Sequence, residues 1–307
     1  MIEVLLSLLL KLLLVLAGAF AIAYLAACLY LFHRQKYFIF KPPSVIRATP
    51  GDFNLDYQEV WLPVSTASGN TAYIHAWWIP ADEPDADVWL YLHGNGSNIG
   101  DEVARAVWFR QLGFSTFLFD YRGYGRSQDQ FPTESSVYED IEIIWNYLTQ
   151  ERQIPPERIF LYGHSLGGAI AIEMAIRHPE IAGLVVEASF TSMRTMVNHH
   201  YRHFLIFPVD LLLHQRFDSL SKVRRRSPPQ ASLQMPVLFI HGTGDRVVPA
   251  QMSEALYAAA PEPKKLLILP DIGHNDIREL GGTQYLEAVR WLIEQGRIKK
   301  RSRFVQH

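Results

Sequence analysis

This 307-residue chain is poor in cysteine. Its single cysteine, Cys28, excludes an intrachain disulfide. That is compatible with a reducing compartment without establishing one. Cys and His do not cluster at metal-ligand spacing, and the chain has no internal repeat and no low-complexity tract. Net charge is also scarce. The 29 Lys and Arg nearly balance the 31 Asp and Glu, for a formal charge of −2. So small an excess gives no argument for nucleic acid or for an acidic substrate. Charge is absent altogether from Leu12 to Phe32.

That charge-free stretch is the first feature that is present. It is about long enough to cross a bilayer core as a helix. Lys11 and Glu3 precede it, whereas His33, Arg34, Lys36, Lys41 and Arg47 follow. The positive excess on the C-terminal flank favours a cytoplasmic catalytic domain. A rival reading is a cleaved export signal. Leu25-Ala26-Ala27-Cys28 resembles the lipobox of bacterial lipoproteins, which would acylate Cys28 and place the domain outside. The apolar run continues through Leu29–Phe32, however, and Lys11 comes late, so a retained anchor over residues 1–36 is the expectation. Residues 37–54 read as a linker. Its aromatic start, Tyr37–Phe40, fits either the membrane interface or a first contact with the following domain.

From Tyr57 the hydrophobic period changes to two. Residues 57–62 and 71–79 read as a β-hairpin. Short continuous apolar runs then alternate with helical patterns. The runs are residues 88–92, 115–119, 159–162, 183–187, 237–240 and 265–269; helices are expected over 99–112, 135–150, 166–178, 249–260 and 283–295. Ser135 or Ser136 would cap the second of these helices and Thr283 the last. This alternation predicts an α/β fold, a mostly parallel sheet covered by helices on both faces. Residues 55–298 would form this domain. Residues 189–235 break the alternation with an apolar insertion, a candidate helical cap. Arg224–Pro229 within it reads as an exposed loop. Residues 299–307 read as a mobile basic tail.

Several strands end in polar, Gly-rich loops, at the sheet end where ligands bind in open α/β folds. One contains Gly163-His164-Ser165-Leu166-Gly167, a G-x-S-x-G turn between a strand and a helix. Glycines at 163 and 167 remove the Cβ atoms that would clash in so tight a turn. A serine hydroxyl is a poor nucleophile without a base. Asp245 and His274 each follow a later strand, at the same end of the sheet, and can supply the acid and the base. The competing residues read differently. Glu187 is the alternative acid and His241 a structural turn. His164 flanks Ser165 without an easy path to its hydroxyl. His199, His200 and His203 fall in the cap, and Asp271 and Asp276 read as loop-stabilising acceptors. Backbone N–H groups of Leu166 and Asn95 are the candidate oxyanion donors. The Asn95 side chain could assist or could only brace its loop.

Five ordered motifs carry a family resemblance: His93–Asn98, Asp120–Ser127, Gly163–Gly168, His241–Pro249 and Gly273–Asp276. Over about residues 55–295, the chain resembles the α/β-hydrolase superfamily. More narrowly it is similar to the N-terminally membrane-anchored serine hydrolases, a group that includes eukaryotic protein depalmitoylases. It departs from them in the cap, notably over 224–234. The resemblance implies the order Ser165, Asp245, His274 for a catalytic triad, with no metal and no organic cofactor. The expected partners are a small or lipid-like acyl substrate, an acylated protein included, and membrane lipid. The same triad would also serve a peptidase, an amidase or an acyltransferase, and a non-catalytic scaffold is the rival from another class.

Overall fold

The computed structural model describes residues 1–66, 69–128, 131–224 and 233–305. A single helix, α1 (Ile2–Ile39), opens the chain. At 1.5 Å per residue it is about 57 Å long, well beyond a bilayer core. It continues past residue 36 and stops where Phe40 turns extended. Phe40 is buried and packs edge-on against Phe217. The aromatic start of the linker is therefore a contact with the following domain.

Eight strands form one sheet: β1 (Gln58–Ser65), β2 (Thr71–Ile79), β3 (Val88–Leu92), β4 (Ser115–Phe119), β5 (Ile159–His164), β6 (Gly183–Glu187), β7 (Val237–Gly242) and β8 (Lys264–Leu269). Their spatial order is β1-β2-β4-β3-β5-β6-β7-β8. The first two strands pair antiparallel, with Gln58 opposite Trp78 and Ser65 opposite Thr71. From β4 onward every pairing is parallel. Strand alternation divides each run between two cores. Val88, Leu90 and Leu92 face one side with Ile141 and Ile170; Trp89 and Tyr91 face the other with Phe109 and Leu292. This is why a run such as Val88–Leu92 is apolar at every position: a strand covered on both faces has no side left for water.

The crossover helices are α2 (Val103–Gln111), α3 (Glu134–Asn146) and α4 (Leu166–Arg177). The expected serine cap of α3 is displaced. Thr133 caps the helix, its Oγ1 accepting from Ser136 N at 3.1 Å, and Ser136 Oγ accepts from Thr133 N in return. Ser136 therefore occupies the return position of a capping box. The insertion after β6 contains α5 (Met193–His200), a 3₁₀ turn (Arg202–Ile206), α6 (Val209–Leu212) and α7 (Ser219–Arg224). Only its first part is a cap. Val223 of α7 joins the sheet-side core, and Lys222 Nζ lies 2.6 Å from Glu173 of α4. Most of the loop expected at Arg224–Pro229 lies outside the described residues. The chain closes with α8 (Ala250–Ala259), α9 (Ile277–Leu280) and α10 (Gly282–Val305). The basic segment from 299 therefore continues a helix through Val305. Lys299 Nζ donates to the carbonyls of Pro179 and Ile181.

Candidate active site

Ser165 stands between β5 and α4 with φ 53° and ψ −115°, a strained conformation for a residue with a Cβ. The surroundings enforce it. Ser165 N donates to the Glu187 carbonyl at 2.8 Å, and Ser189 Oγ donates to the Ser165 carbonyl at 2.8 Å. A Cβ at 163 would sit 2.3 Å from the Gly167 carbonyl oxygen, and one at 167 would sit 2.0 Å from that of Leu92. Both glycines are thus dictated by close backbone approach.

His274 follows β8 and reaches Ser165. Its Nε2 is 3.0 Å from Ser165 Oγ, and its Nδ1 is 2.6 Å from Asp245 Oδ2. Asp245 only accepts, so the Nδ1 proton faces the carboxylate and Nε2 is left to accept from the serine. The other oxygen, Oδ1, accepts from Val247 N at 2.7 Å and Val248 N at 2.8 Å. Burial opposes ionisation of Asp245. The hydrogen bonds from His241, His274 and Val248 outweigh it and hold the carboxyl well below its ordinary value.

His241 is the residue that sequence reasoning undervalued. It does close a structural turn, but its Nε2 also lies 3.0 Å from Asp245 Oδ2, the oxygen His274 uses. Nε2 also lies 2.9 Å from the Val248 carbonyl. Both partners only accept, so Nε2 carries the proton. Nδ1, 2.7 Å from Ser253 Oγ, then accepts from that hydroxyl. The signal was there: His241 stands four residues before Asp245 across a Gly-rich turn.

The remaining expectations sort by geometry. His164 Nε2 lies 3.1 Å from the His274 carbonyl and donates to it. Burial is the main cause that lowers the His164 pKa, so this ring is neutral near pH 7. Glu187 is buried against Arg105, with Arg105 Nη2 at 3.1 Å, and accepts from the Tyr162 hydroxyl. Burial raises its pKa, but Arg105, His164 and Tyr162 more than reverse this. Its side chain is thus engaged away from His274. His200 bonds the Val247 carbonyl from the cap. Asp271 takes a left-handed turn position with φ 57°.

Leu166 is the first residue of α4, where backbone N–H groups have no intrahelical acceptor. Asn95 lines the same cavity as Ser165, Leu166 and His274. Its side chain is engaged elsewhere. Oδ1 accepts from Lys41 N at 2.7 Å and from the Tyr124 hydroxyl at 2.9 Å, while Nδ2 donates to the Ile39 carbonyl at 2.6 Å. The side chain thus braces the loop, and the backbone N–H remains the candidate oxyanion donor.

The cavity measures about 800 Å3, within the usual range of about 300–1,000 Å3 for small-molecule sites. Its lining includes the apolar Met193, Met196, Phe204 and Phe207 of the cap. It also includes Arg47, Arg105 and Arg278, with Asp101, Glu102 and Glu279.

Comparison with known proteins agrees with this fold. The family profile described as serine aminopeptidase, S33 matches residues 82–223, a span that includes Ser165 but ends before Asp245 and His274. An uncharacterised Mycobacterium tuberculosis protein is 36% identical over 206 residues, covering 67% of this chain and 69% of that one. The uncharacterised Escherichia coli protein YfhR is 29% identical over 263 residues, covering 84% and 86%. Among solved structures, the Pyrococcus furiosus esterase Pf2001 superposes with a TM-score of 0.63 at 19% identity, over 83% of this chain and 98% of its own. An α/β hydrolase of Vibrio vulnificus does so with a TM-score of 0.63 at 20% identity, over 85% and 90%. Sheet order, strand-end site and sequence relatives converge: the chain belongs to the α/β-hydrolase superfamily.

Proposed function

We propose that this protein is a membrane-anchored serine hydrolase that cleaves an acyl ester or thioester. The observation that carries the reading is the hydrogen-bonded series Ser165 Oγ–His274 Nε2 and His274 Nδ1–Asp245 Oδ2, opening on a largely apolar cavity. Ser165 Oγ attacks the acyl carbonyl as His274 Nε2 takes its proton. The resulting imidazolium is stabilised by the ionised Asp245. The N–H groups of Leu166 and Asn95 hold the oxyanion, a contribution of about 3–4 kcal/mol per donor in comparable sites. His274 then protonates the leaving alcohol or thiol. Water, deprotonated by the same histidine, releases the acid and restores Ser165.

The family description favours one other reading, an aminopeptidase. That chemistry needs a carboxylate for the substrate's ammonium group. Each cavity carboxylate already faces an arginine: Asp101 lies 3.9 Å from Arg47, Glu102 lies 3.5 Å from Arg105, and Glu279 contacts Arg278. The apolar lining therefore supports the ester or thioester reading over the peptide one.

The membrane assignment is supported by α1, apolar enough and long enough to span a bilayer. Its helix is unbroken through Ala27–Cys28, and Cys28 is buried against the rest of the chain. Both favour a retained helix over lipoprotein processing. The basic residues after the apolar run support a cytoplasmic catalytic domain by the positive-inside rule.

A fluorophosphonate probe tests the nucleophile: wild type is labelled and Ser165→Ala is not. Equal labelling of the two overturns the assignment. Parallel assays on p-nitrophenyl esters, acyl thioesters and aminoacyl amides decide the bond class.

A further inference from the structure

The long apolar helix is more than a tether. The residues of its second half that lose solvent exposure are Tyr24, Ala27, Cys28, Leu31, Gln35, Lys36 and Ile39. They recur at intervals of three and four, so they form one stripe along a single helix face. The residues between them stay exposed, Leu29 at 60% and Tyr30 at 57% among them. Leu31, Gln35, Phe38 and Ile39 line the cavity that also contains Ser165 and His274.

Two polar clips fix this stripe in place. Gln35, 8% exposed inside an apolar helix, accepts at Oε1 from the backbone N–H groups of His214 and Gln215, each at 3.0 Å. Its Nε2 donates to the Leu212 carbonyl at 3.0 Å. A glutamine in such a helix is costly unless its bonds are made, and here they tie α1 to the cap. At the helix end, the Asn95 side chain joins Ile39 and Lys41 to the loop beside Ser165. Higher on α1, the Tyr24 hydroxyl donates to the Ile206 carbonyl at 3.0 Å, and the Tyr24 ring stacks on Phe207. Phe207 is also a cavity residue. The cavity thus extends from Ser165 to a cap ring seated at the level of residue 24, inside the charge-free run. Around that ring the cap exposes Ile206 at 71% and Leu211 at 81%, apolar groups that water would not favour and lipid would.

We infer that the last turns of α1 form a wall of the acyl subsite and that the substrate is a long-chain acyl ester or thioester resident in the membrane, its chain entering from the bilayer between α1 and the cap. This rests on the serine-hydrolase reading above. The acyl carbonyl sits at Ser165, the chain runs along Leu31 and Ile39 toward Phe207, and the polar leaving group lies among the cavity's charged residues.

The test uses the full chain in proteoliposomes with p-nitrophenyl esters from butyrate to palmitate. Leu31→Trp places an indole in the subsite. It should lower kcat/KM for palmitate by about tenfold or more while butyrate stays within about twofold, because apolar pockets discriminate by the methylenes they accept. Leu29→Trp, on the exposed face of the same helix, should leave the whole ladder unchanged. Uniform loss across the ladder in Leu31→Trp, or no loss, overturns the wall; so does an equal change in Leu29→Trp. A long-chain ester should turn over when it shares the enzyme's vesicles and not when it is confined to separate ones, and equal rates overturn entry from the bilayer. If wild type is neither labelled by fluorophosphonate nor active on butyrate, the serine-hydrolase reading itself fails. A labelled, active wild type with an unaltered ladder in Leu31→Trp refutes the subsite alone.

Discussion

The floor and the wall of the cavity are built in different ways. The floor is a set of strand ends. Ser165, Asp245 and His274 follow β5, β7 and β8, and each is fixed by buried hydrogen bonds to backbone or to another side chain. The wall is α1 against the cap. Its surfaces are apolar, and among the described residues its polar attachments are those of Gln35, Tyr24 and the Asn95 clip. A floor of this kind can hold atoms to the tolerance that proton transfer needs. A wall held mainly by apolar contact can select a shape while tolerating substitutions of similar volume. If the contrast holds, changes in the floor act on turnover of every substrate, and changes in the wall act on which acyl chains are accepted.

The largest effect that could break this contrast comes from the floor. Ser165→Ala or His274→Ala should lower kcat on a short ester by a factor on the order of a million, with circular dichroism unchanged. Near-wild-type turnover by His274→Ala would remove it as the base. Asp245→Asn should cost about ten-thousand-fold, because the amide leaves His274 in the wrong tautomer. A loss confined to long-chain esters would instead place Asp245 with the wall.

Gln35→Ala tests whether floor and wall are separable. It strands the N–H groups of His214 and Gln215, and an unsatisfied buried group costs about 1–3 kcal/mol. Thermal unfolding should shift accordingly. The palmitate-to-butyrate ratio should fall while fluorophosphonate labelling of Ser165 keeps its rate. A parallel fall in labelling would show that α1 also holds the loop of Asn95, joining the two regions into one unit.

A smaller effect concerns pH. The folded-state pKa of His164 lies below its ordinary value of 6.5, chiefly through burial. The unfolded chain therefore takes up this proton first, and stability falls as pH drops below that value. Asp245 adds a second loss only below 3.8, its ordinary value, because its folded pKa is depressed. Thermal stability from neutral pH to pH 5 should decline more steeply for wild type than for His164→Gln, and identical slopes would contradict the neutral buried ring. Smallest of all, Leu211→Ser on the exposed cap surface should change stability by no more than about 0.5 kcal/mol, measured in detergent.

Most of the floor was legible because its signals are local. A run such as Val88–Leu92 is apolar at every position, and Gly163 and Gly167 mark a turn whose crowding the neighbouring carbonyls confirm. Chain order brought Ser165, Asp245 and His274 to one end of the sheet. The second imidazole on Asp245 was missed, since His241 resembles any turn histidine until the fold shows where its Nε2 lies. The cap was legible only as an interruption. Its division into a cavity-lining part and α7 on the sheet face depends on contacts such as Lys222–Glu173, between residues far apart in the chain.

By itself the sequence determined the alternation of strands and helices, the strained serine turn and the candidate acid and base, because hydrophobic period and glycine placement act over a few residues. It also marked the charge-free run of α1, Leu12 to Phe32. Only the tertiary structure decided what that helix does, since an apolar run does not say which of its turns stay bare and which are covered. The difference lies in what packs against them, and residues some 180 positions away in the cap meet Tyr24 and Gln35 only once the sheet has closed.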